Sequence, residues 1–370
     1  MIVRFLTQND IAEHDKITSQ AFSYACDIED PSSVLPCKRV LGAFDNDNQT
    51  LFADLEIHER LCNYDGSVLS CAAIGGVAAK PEHRGKGAVK ALFDDVFRKT
   101  DYDISILYPF AEEYYRKLGY ERTGYSLQMT VPFSAISKVR RNNDVKLYEG
   151  NHAEQLLKLY NRCAQMYNLS FVRDNADAFS DQPYYTQKYT YIWKNNAFAT
   201  IQIDREKSMV LVDEIYYDSC ASMLGILGFL RNFESNQKSV CFQKVPDNSP
   251  LLNFIQDLKN CAIQLQSTGA VRILNFERVL KTHRYPSGSG EFILRIADDV
   301  FKVTYSGSGV IVDKNDRDDP DVSMDVSTAS KLLLCGFRDV EYVPGLVIHN
   351  PKSGFLNLFP QKASFFTDAF

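Results

Sequence analysis

The sequence of 370 residues predicts an α+β protein in three parts. Strands and helices follow each other in the same order in the first two parts. The length exceeds the roughly 100 to 200 residues of an ordinary single domain. Hydrophobic residues make up 45% and charged residues 24%, which is the balance of a folded globular chain. Short apolar runs typical of strands alternate with amphipathic helical patterns in residues 1–134 and again in residues 145–281.

The first part, residues 1–134, is predicted to contain a strand, a helix that Asn9 can cap, three strands, a helix, a strand, a short helix and a closing strand. The run SVLSCAAIGGVAA is nearly all apolar and therefore indicates a strand inside a sheet. The following helix, from about Lys86 to Lys99, has its apolar residues at helical spacing. The run YSLQMTVPF is predicted to close this part as its last strand.

Two polar segments mark the predicted boundaries between the parts. Residues 134–144 carry a basic cluster and are expected to be a solvated linker. Residues 282–290 are rich in turn-forming residues and end the second part at residue 281. Beyond them, residues 290–370 are predicted to form three strands, a helix near TASKLLLCG and an extended end.

Charge and composition argue against several classes of partner. Lys and Arg total 41 against 47 Asp and Glu, so the net charge of −6 gives no general attraction to nucleic acid. No run is long and apolar enough to suggest a membrane span, and the first residues do not resemble a secretory signal. The 9 cysteines are spread along the chain without metal-ligand spacing. We therefore expect reduced thiols, a cytoplasmic protein, no bound metal and no nucleic acid or membrane partner.

The most informative segment, Val77–Lys90, joins the end of an apolar strand to the start of a helix through Gly85 and Gly87. Its cations, Arg84, Lys86 and Lys90, lie where the positive end of a helix dipole disfavours them. An anion would compensate these charges, and a pyrophosphate suits a glycine turn whose amides point outward. The alternative is a surface turn that happens to be basic.

The pattern of a basic residue, two residues and a glycine, Arg84 to Gly87, resembles the acetyl-coenzyme A motif of the Gcn5-related N-acetyltransferases (GNAT). That motif usually ends in Gly or Ala, and the larger apolar Val89 stands there as it does in the enhanced intracellular survival (Eis) subgroup. The resemblance implies tandem GNAT-like domains, catalytic at 1–134 and degenerate at 145–281. It further implies a sterol-carrier-like (SCP2-like) α/β domain at 290–370, for which fold alone does not imply lipid binding.

The same resemblance implies acetyl-coenzyme A as co-substrate and assigns its contacts. The amides of Val77 and Ala79 would pair with the pantetheine arm, and Phe110 and Ala111 would contact the cofactor after the next strand. The pyrophosphate would lie on the turn and helix start, at Arg84, Gly85, Lys86, Gly87, Ala88, Val89 and Lys90.

Tyr115, in the run YYRKLGY, matches the family's general acid. A phenol of pKa near 10 can protonate the thiolate that leaves when an amine attacks a thioester. Most of the 20 tyrosines are expected to be packing residues, and Tyr114 and Tyr120 are the nearest rivals for the role. Tyr114 and Tyr115 should point about 100° apart on a helix, so only one of them can readily face the thioester.

The chain end is apolar, FFTDAF, and we expect it to be docked. The resemblance implies that the carboxylate of Phe370 is the general base that takes a proton from the acceptor amine. The alternative is that the aromatic residues seal the third domain and leave Asp368 exposed.

The second part lacks the phosphate motif, because DEIYYDSCASMLGILG offers Asp213, Glu214 and Asp218 where cations would be needed. The resemblance implies an N-acetyltransferase acting on a primary amine of a cationic small molecule, such as an aminoglycoside or polyamine, or of a lysine side chain. It also implies a homo-oligomer, a hexamer by analogy. The alternative from another class is a lipid-binding or interaction protein with a vestigial acetyltransferase domain.

Overall fold

The computed structural model describes residues 1–22, 39–99, 101–175, 179, 188–314, 319–337 and 343–368. The strands are β1 (Ile2–Phe5), β2 (Arg39–Phe44), β3 (Leu51–Tyr64), β4 (Ser67–Ala79), β5 (Ile104–Leu107), β6 (Glu121–Arg122), β7 (Tyr125–Pro132), β8 (Lys146–Leu147), β9 (Phe171–Val172), β10 (Tyr189–Trp193), β11 (Ala197–Asp204), β12 (Met209–Tyr217), β13 (Ser239–Pro246), β14 (Ala262–Ser267), β15 (Ala270–Ile273), β16 (Gly290–Ile296), β17 (Asp299–Ser306), β18 (Gly309–Lys314), β19 (Val322–Met324) and β20 (Val347–Ile348). The α-helices are α1 (Ile11–Phe22), α2 (Ala88–Lys99), α3 (Glu112–Arg116), α4 (Ala153–Ala164), α5 (Cys220–Leu230), α6 (Phe276–Thr282), α7 (Val326–Cys335) and α8 (Phe355–Leu358).

The chain forms two compact units. Unit 1 comprises Met1–Thr123, Gly269–Gln361 and Asp368, and unit 2 comprises Gly124–Thr268 and Lys362–Thr367. The mixed α/β architecture agrees with the predicted fold class.

Two helix starts differ slightly from the prediction. Helix α2 begins at Ala88, two residues after the predicted start. The capping box before α1 is formed by Thr7 and Asp10, whereas the sequence predicts Asn9 in this role.

The first sheet of unit 1 has the strand order β1-β2-β3-β4-β5-β15-β6. Its neighbours are antiparallel except β4 and β5, which run parallel, with Cys71–Ile74 opposite Ile104–Leu107. One face packs on α2 through a core that includes Leu55, Leu92 and Phe93. The other face packs on α1, where Ile17 lies in a smaller apolar cluster with Leu6, Val40, Phe44, Leu51 and Ala78.

Unit 1 also contains a five-stranded sheet of order β18-β17-β16-β19-β20. The strands EFILRI, FKVTYS and GVIVD and the helix near TASKLLLCG lie where the sequence predicts them. Phe292, Phe301 and Phe355 are among its fully buried side chains. The sterol-carrier likeness of this region stays a prediction.

Unit 2 is built on a sheet of order β14-β7-β13-β12-β11-β10-β8. Helix α5 packs against it, with Met223, Ile226 and Leu230 in the core. The segment 134–144, predicted to be a solvated linker, contributes Ala135, Ile136 and Val139 to the same core. That prediction was wrong for these three side chains, because the apolar residues spaced among the cations reach α5 and its sheet.

One strand lies in a different sheet from the one predicted. Strand β7, expected to close the first part, pairs with β13 and β14 in unit 2. In unit 1, β15 takes the position beside β5 and pairs with β6. The physical reason is that an alternating apolar strand can complete either sheet, and its pairing partner decides which. The boundaries at 134, 145, 281 and 290 as limits of functional domains stay predictions.

The cysteines within the described residues are free thiols, and Cys62, Cys71, Cys163, Cys241 and Cys335 are buried. Cys26 and Cys37 lie outside the described residues. Among the described helices, none has the length and apolar character needed to cross a membrane.

The ion pair of Arg4 with Asp10, at 2.8 Å, joins β1 to the capping box before α1. Its hydrogen bond lowers the pKa of Asp10 to about 2. A carboxyl whose pKa falls on folding stabilises the protein above its unfolded pKa, near 3.8, and this contribution disappears as the pH falls through about 2.

We therefore expect Asp10→Asn to lower the free energy of unfolding at pH 7 by about 1 kcal/mol. The difference from wild type should shrink as urea unfolding is repeated from pH 5 down to pH 3. Asp298→Asn, at an exposed carboxylate without an ion pair in the described part of the chain, should show no such trend. An equal deficit at pH 7 and pH 3 would mean that the ion pair is not its source.

Candidate active site

The site begins where β4 and β5 part. Their parallel pairing ends at Ile74, whereas β4 continues to Ala79 along β3. The amide of Lys80 donates to Phe52 on the β3 side, at 3.0 Å. Because successive amides of a strand point to opposite edges, those of Ala79 and Val77 point to the edge that β5 has left. No strand of the described chain pairs with that edge of residues 75–79, so it can accept an extended ligand.

The turn from β4 into α2 depends on two glycines. Gly85 and Gly87 have φ of +78° and +80°, the left-handed region that disfavours other residues. A Cβ at either position would meet no atom within 4 Å, so the backbone there faces open space. The amide of Ala91 donates to the Gly87 carbonyl at 2.9 Å, which starts the helix and leaves its earlier amides without a partner inside the helix.

The three cations of this turn differ in their partners. Lys90 forms an ion pair with Asp94 at 2.6 Å, one helical turn away. Lys86 lies 2.9 Å from Nδ1 of His83 and above the Phe52 ring. The Arg84 side chain is exposed and has no hydrogen-bond or ion-pair partner among the described residues, so its guanidinium is available to an anion. His83 stacks on Phe52 with ring centroids 4.0 Å apart.

Tyr115 and its rivals occupy different environments. Tyr115 is buried against Phe93 and Phe110, and its hydroxyl has no hydrogen-bond partner in the described part of the chain. Tyr120 is buried with its hydroxyl 2.6 Å from Ser105 Oγ. Tyr114 is exposed. Burial raises the pKa of Tyr115 well above its ordinary value, so the phenol stays protonated at neutral pH.

Close packing of Gly119 against Arg272 fixes the segment that carries Tyr115. Gly119 ends the turn after α3 with φ of +83°, and a Cβ there would lie 1.8 Å from Nη1 of Arg272. That guanidinium donates to the Leu118 carbonyl and lies over the Phe97 ring. Gly119 therefore serves close packing as well as the left-handed turn.

The remaining predicted contacts surround the end of β5. Phe110 is 78% exposed, which is unusual for a phenylalanine and leaves its ring available to a ligand. Ala111 is the N-cap residue of α3. The hydroxyl of Tyr108 donates to the backbone carbonyl of Asp368 at 2.9 Å. Phe370 lies outside the described residues.

The aromatic residues before the chain end do not seal the third part. In unit 2, Phe365 and Phe366 are buried and contact the rings of Tyr167 and Phe171. The carbonyl of Asn168 accepts from the amide of Phe365 at 3.1 Å. The alternative considered from the sequence is therefore wrong, because these rings pack within unit 2.

Sequence reasoning missed a buried polar cluster in unit 1. His14 of α1 bonds Asp54 of β3 at 2.8 Å, and His58 bonds Glu56 at 3.1 Å. Burial lowers the pKa of His14, but the hydrogen bond and charge of Asp54 outweigh this and raise it. The signal was present in the run ADLEIHER, where polar residues alternate with apolar ones along a strand.

In unit 2 the corresponding turn has no phosphate cradle. Ser219 caps α5 by accepting from the Ser222 amide, and Ser222 donates to Asp218 at 2.5 Å. The acidic residues singled out there are engaged in ion pairs with Lys188, Arg173 and Arg162, for Asp213, Glu214 and Asp218 respectively. Side chains of the turn and of α5 itself thus provide the hydrogen-bond partners at the start of this helix.

Comparison with known proteins agrees with this geometry. Residues 3–123 match the model of an acetyltransferase (GNAT) domain. No curated protein sequence matches the chain.

Solved structures match along the whole chain. A GCN5-related N-acetyltransferase from Anabaena variabilis has 20% identity and a TM-score of 0.84, covering 100% of both chains. A probable N-acyltransferase from Enterococcus faecalis has 19% identity and a TM-score of 0.84, covering 100% of this chain and 99% of that one. Eis1 from Mycobacterium abscessus has 18% identity and a TM-score of 0.82, covering 100% of both. Such identities establish a shared fold.

Proposed function

We propose that this protein, an N-acetyltransferase with a GNAT domain at residues 3–123 and an Eis-type fold, transfers the acetyl group of acetyl-coenzyme A to a primary amine of a cationic acceptor. The observation that carries the proposal is the unpaired edge of β4 leading into the glycine turn before α2. A pantetheine arm and a pyrophosphate are chemically matched to these two features in that order.

In the proposed complex, the amides of Val77 and Ala79 pair with the pantetheine as an added strand. The pyrophosphate lies on the turn from Arg84 to Lys90, where Arg84 offers an unpaired guanidinium and Gly85 and Gly87 allow close approach. Phe110 and Ala111 line the far side of the gap. This arrangement holds the thioester at the point where β4 and β5 separate.

Transfer then requires three proton movements. The neutral amine nitrogen attacks the acetyl carbonyl carbon, the carbon–sulfur bond breaks, and the thiolate takes a proton from the Tyr115 hydroxyl. The attacking nitrogen loses its surplus proton as the amide forms, and this proton restores the Tyr115 hydroxyl. The acceptor ammonium must first lose a proton, and we propose the Phe370 carboxylate as its base. The bond from Tyr108 to Asp368 supports this assignment, because it holds the chain two residues before its end beside the segment that leads to Phe110.

The remaining proposals follow from the family resemblance. We assign catalysis to residues 1–134, a supporting role to the degenerate region 145–281 and a sterol-carrier-like fold to residues 290–370. The capped start of α5 supports the second assignment. A cytoplasmic location and a homo-oligomer, a hexamer by analogy, complete the proposal.

The direct test incubates the protein with acetyl-coenzyme A and a panel of aminoglycosides, polyamines and lysine peptides, while release of free thiol is followed. We expect amine-dependent thiol release. Binding of acetyl-coenzyme A without transfer to any amine would favour a vestigial domain with a binding role.

We expect Gly87→Glu to abolish measurable affinity for coenzyme A in titration calorimetry. The change puts a side chain and a negative charge at the backbone position proposed to face the pyrophosphate. Gly66→Glu is the matched control, because Gly66 has a similar φ of +78° and open surroundings in the β3–β4 turn. If the folded Gly87→Glu protein binds coenzyme A as wild type does, the cofactor lies elsewhere.

Tyr115→Phe should lower kcat by about 10²- to 10⁴-fold and leave coenzyme A affinity nearly unchanged, since it removes a positioned proton donor. Tyr114→Phe and Tyr120→Phe are the controls, one exposed and one bonded to Ser105. Steady-state kinetics of all three variants decide the assignment. A crippled Tyr114→Phe beside an active Tyr115→Phe would reverse it.

Adding two residues after Phe370 keeps every side chain and moves only the terminal carboxylate. We expect acetyl transfer to fall by about 10²-fold or more, with coenzyme A affinity unchanged. An α-carboxyl of pKa about 3.3 to 3.7 is ionised at neutral pH and can accept the proton. Full activity of the extended, folded protein would exclude the chain end as base.

A further inference from the structure

The basic cluster of residues 134–144 has no role in the transfer described above, and it borders an open cavity of unit 2. The cavity has a volume of about 850 Å³, within the roughly 300 to 1,000 Å³ of small-molecule sites. Asp144 is the only carboxylate among its described lining residues. The four cations of the lining are Lys138, Arg140, Arg141 and Lys194. In a chain with a net charge of −6, this concentration of positive charge favours an anionic ligand.

Two of the four cations have no counter-charge nearby. The side chains of Lys138 and Arg140 are exposed and have no hydrogen-bond or ion-pair partner among the described residues. Arg141 forms an ion pair with Glu234 at 3.0 Å, and Lys194 forms one with the lining carboxylate at 3.2 Å. Lys138 and Arg140 are therefore the two cations most available to a bound anion.

Hydrogen bonds to α5 fix the backbone of the basic cluster. The backbone amide of Asn142 donates to the Gly228 carbonyl at 3.2 Å, and its side-chain amide donates to the Gly225 carbonyl at 2.9 Å. Arg231, the first residue after α5, donates from its guanidinium to the Ser137 carbonyl at 2.7 Å. The wall that carries the cations is thus formed before a ligand binds, which lowers the cost of ordering it on binding.

Two glycines of α5 allow both walls of the cavity to approach this helix. A Cβ on Gly225 would lie 2.7 Å from the indole ring of Trp193. A Cβ on Gly228 would lie 2.2 Å from the carbonyl oxygen of Arg140. Glycine destabilises the interior of a helix, so the benefit of these two lies in the close packing that they permit. That packing holds the indole and the basic cluster on the same helix.

Trp193 gives the cavity an aromatic wall. It is the only tryptophan of the chain, and it is half-buried. The Nζ of Lys194 lies 5.1 Å from the centroid of its ring, so positive charge and aromatic surface lie together. Gln256 also lines the cavity, and its side-chain amide can both donate and accept hydrogen bonds. A planar ring with polar edges, stacked on an aromatic side chain, is suited to this wall.

We infer that this cavity binds a nucleotide, with its phosphates at Lys138 and Arg140 and its base against Trp193. A free phosphate would use the cations and leave the aromatic wall without a contact. An uncharged aromatic molecule would leave the cations without a counter-charge. A nucleotide supplies both groups. The cavity shares no residue with the proposed acetyl-coenzyme A site, so the inference does not depend on the proposed function.

The fluorescence of Trp193 provides the test, because no other tryptophan of the chain contributes to it. Titration with ADP should quench this fluorescence to saturation. The quenching should persist in Gly87→Glu, in which the proposed coenzyme A site is blocked. Lys138→Gln and Arg140→Gln should each weaken ADP binding about 10-fold or more, the usual effect of losing a charged hydrogen bond.

Arg205→Gln is the matched control and should bind ADP as wild type does. Arg205 is an exposed cation of unit 2 that lies outside the cavity lining and has no partner in the described part of the chain. The melting temperature of each variant checks that it is folded.

Calorimetry on the Gly87→Glu protein separates the contribution of the base from that of the phosphates. Adenosine and inorganic pyrophosphate should each bind about 10- to 100-fold more weakly than ADP, because each lacks one of the two sets of contacts.

The outcomes decide the inference independently of acetyl transfer. Weaker ADP binding to Lys138→Gln and Arg140→Gln, with unchanged binding to Arg205→Gln, supports the nucleotide site. Pyrophosphate that binds as tightly as ADP would overturn the nucleotide assignment, because the base would then contribute nothing. If neither fluorescence nor calorimetry detects ADP binding to the folded protein, or if all three variants bind it equally, the cavity is not the site.

Discussion

The candidate site depends on one interruption of backbone pairing. Strands β4 and β5 share a parallel ladder only from Cys71 to Ile74, and β4 then continues along β3 alone. A bond between Tyr120 and Ser105, which in turn donates to the Ala72 carbonyl, holds the paired part. Because unpaired backbone groups favour hydrogen-bond partners, the open edge beyond Ile74 is suited to an extended polar ligand. The glycine turn and α2 follow β4 directly, and the segment that carries Tyr115 follows β5, so all of them lie next to this open edge in the chain.

Burial raises the pKa of two groups in unit 1, the Tyr115 phenol and the Asp54 carboxyl. A phenol removed from water resists ionisation, so the Tyr115 hydroxyl keeps its proton at neutral pH. On the α1 face, burial of Asp54 also raises its pKa, so the cluster costs stability unless it is paired. The two faces of the sheet therefore hold buried ionisable groups in different settings, a phenol on the α2 face and a hydrogen-bonded His14–Asp54 pair on the α1 face.

Unit 2 shows that the same architecture can lack the site. Its β12 and β13 also run parallel through Met209–Val212 before they part, and α5 follows β12 as α2 follows β4. The difference lies in the turn, where Ser219 and Asp218 satisfy the helix start that Gly85 and Gly87 leave exposed in unit 1. A shared fold consequently does not imply a shared ligand.

The sequence alone predicted most of the strands and helices, the glycine turn with Arg84 and the loss of the motif in the second part, because these depend on local spacing and on residue type. Tertiary structure decided what depends on partners distant in sequence. In the first sheet of unit 1, β15 lies where the sequence predicts β7. The reason is that the available neighbour, and not the alternation of apolar residues, decides which strands pair. Tertiary structure also brought His14 of α1 to Asp54 of β3, although the two segments are far apart in sequence. No local pattern encodes that encounter, because it arises only when the helix packs on the sheet.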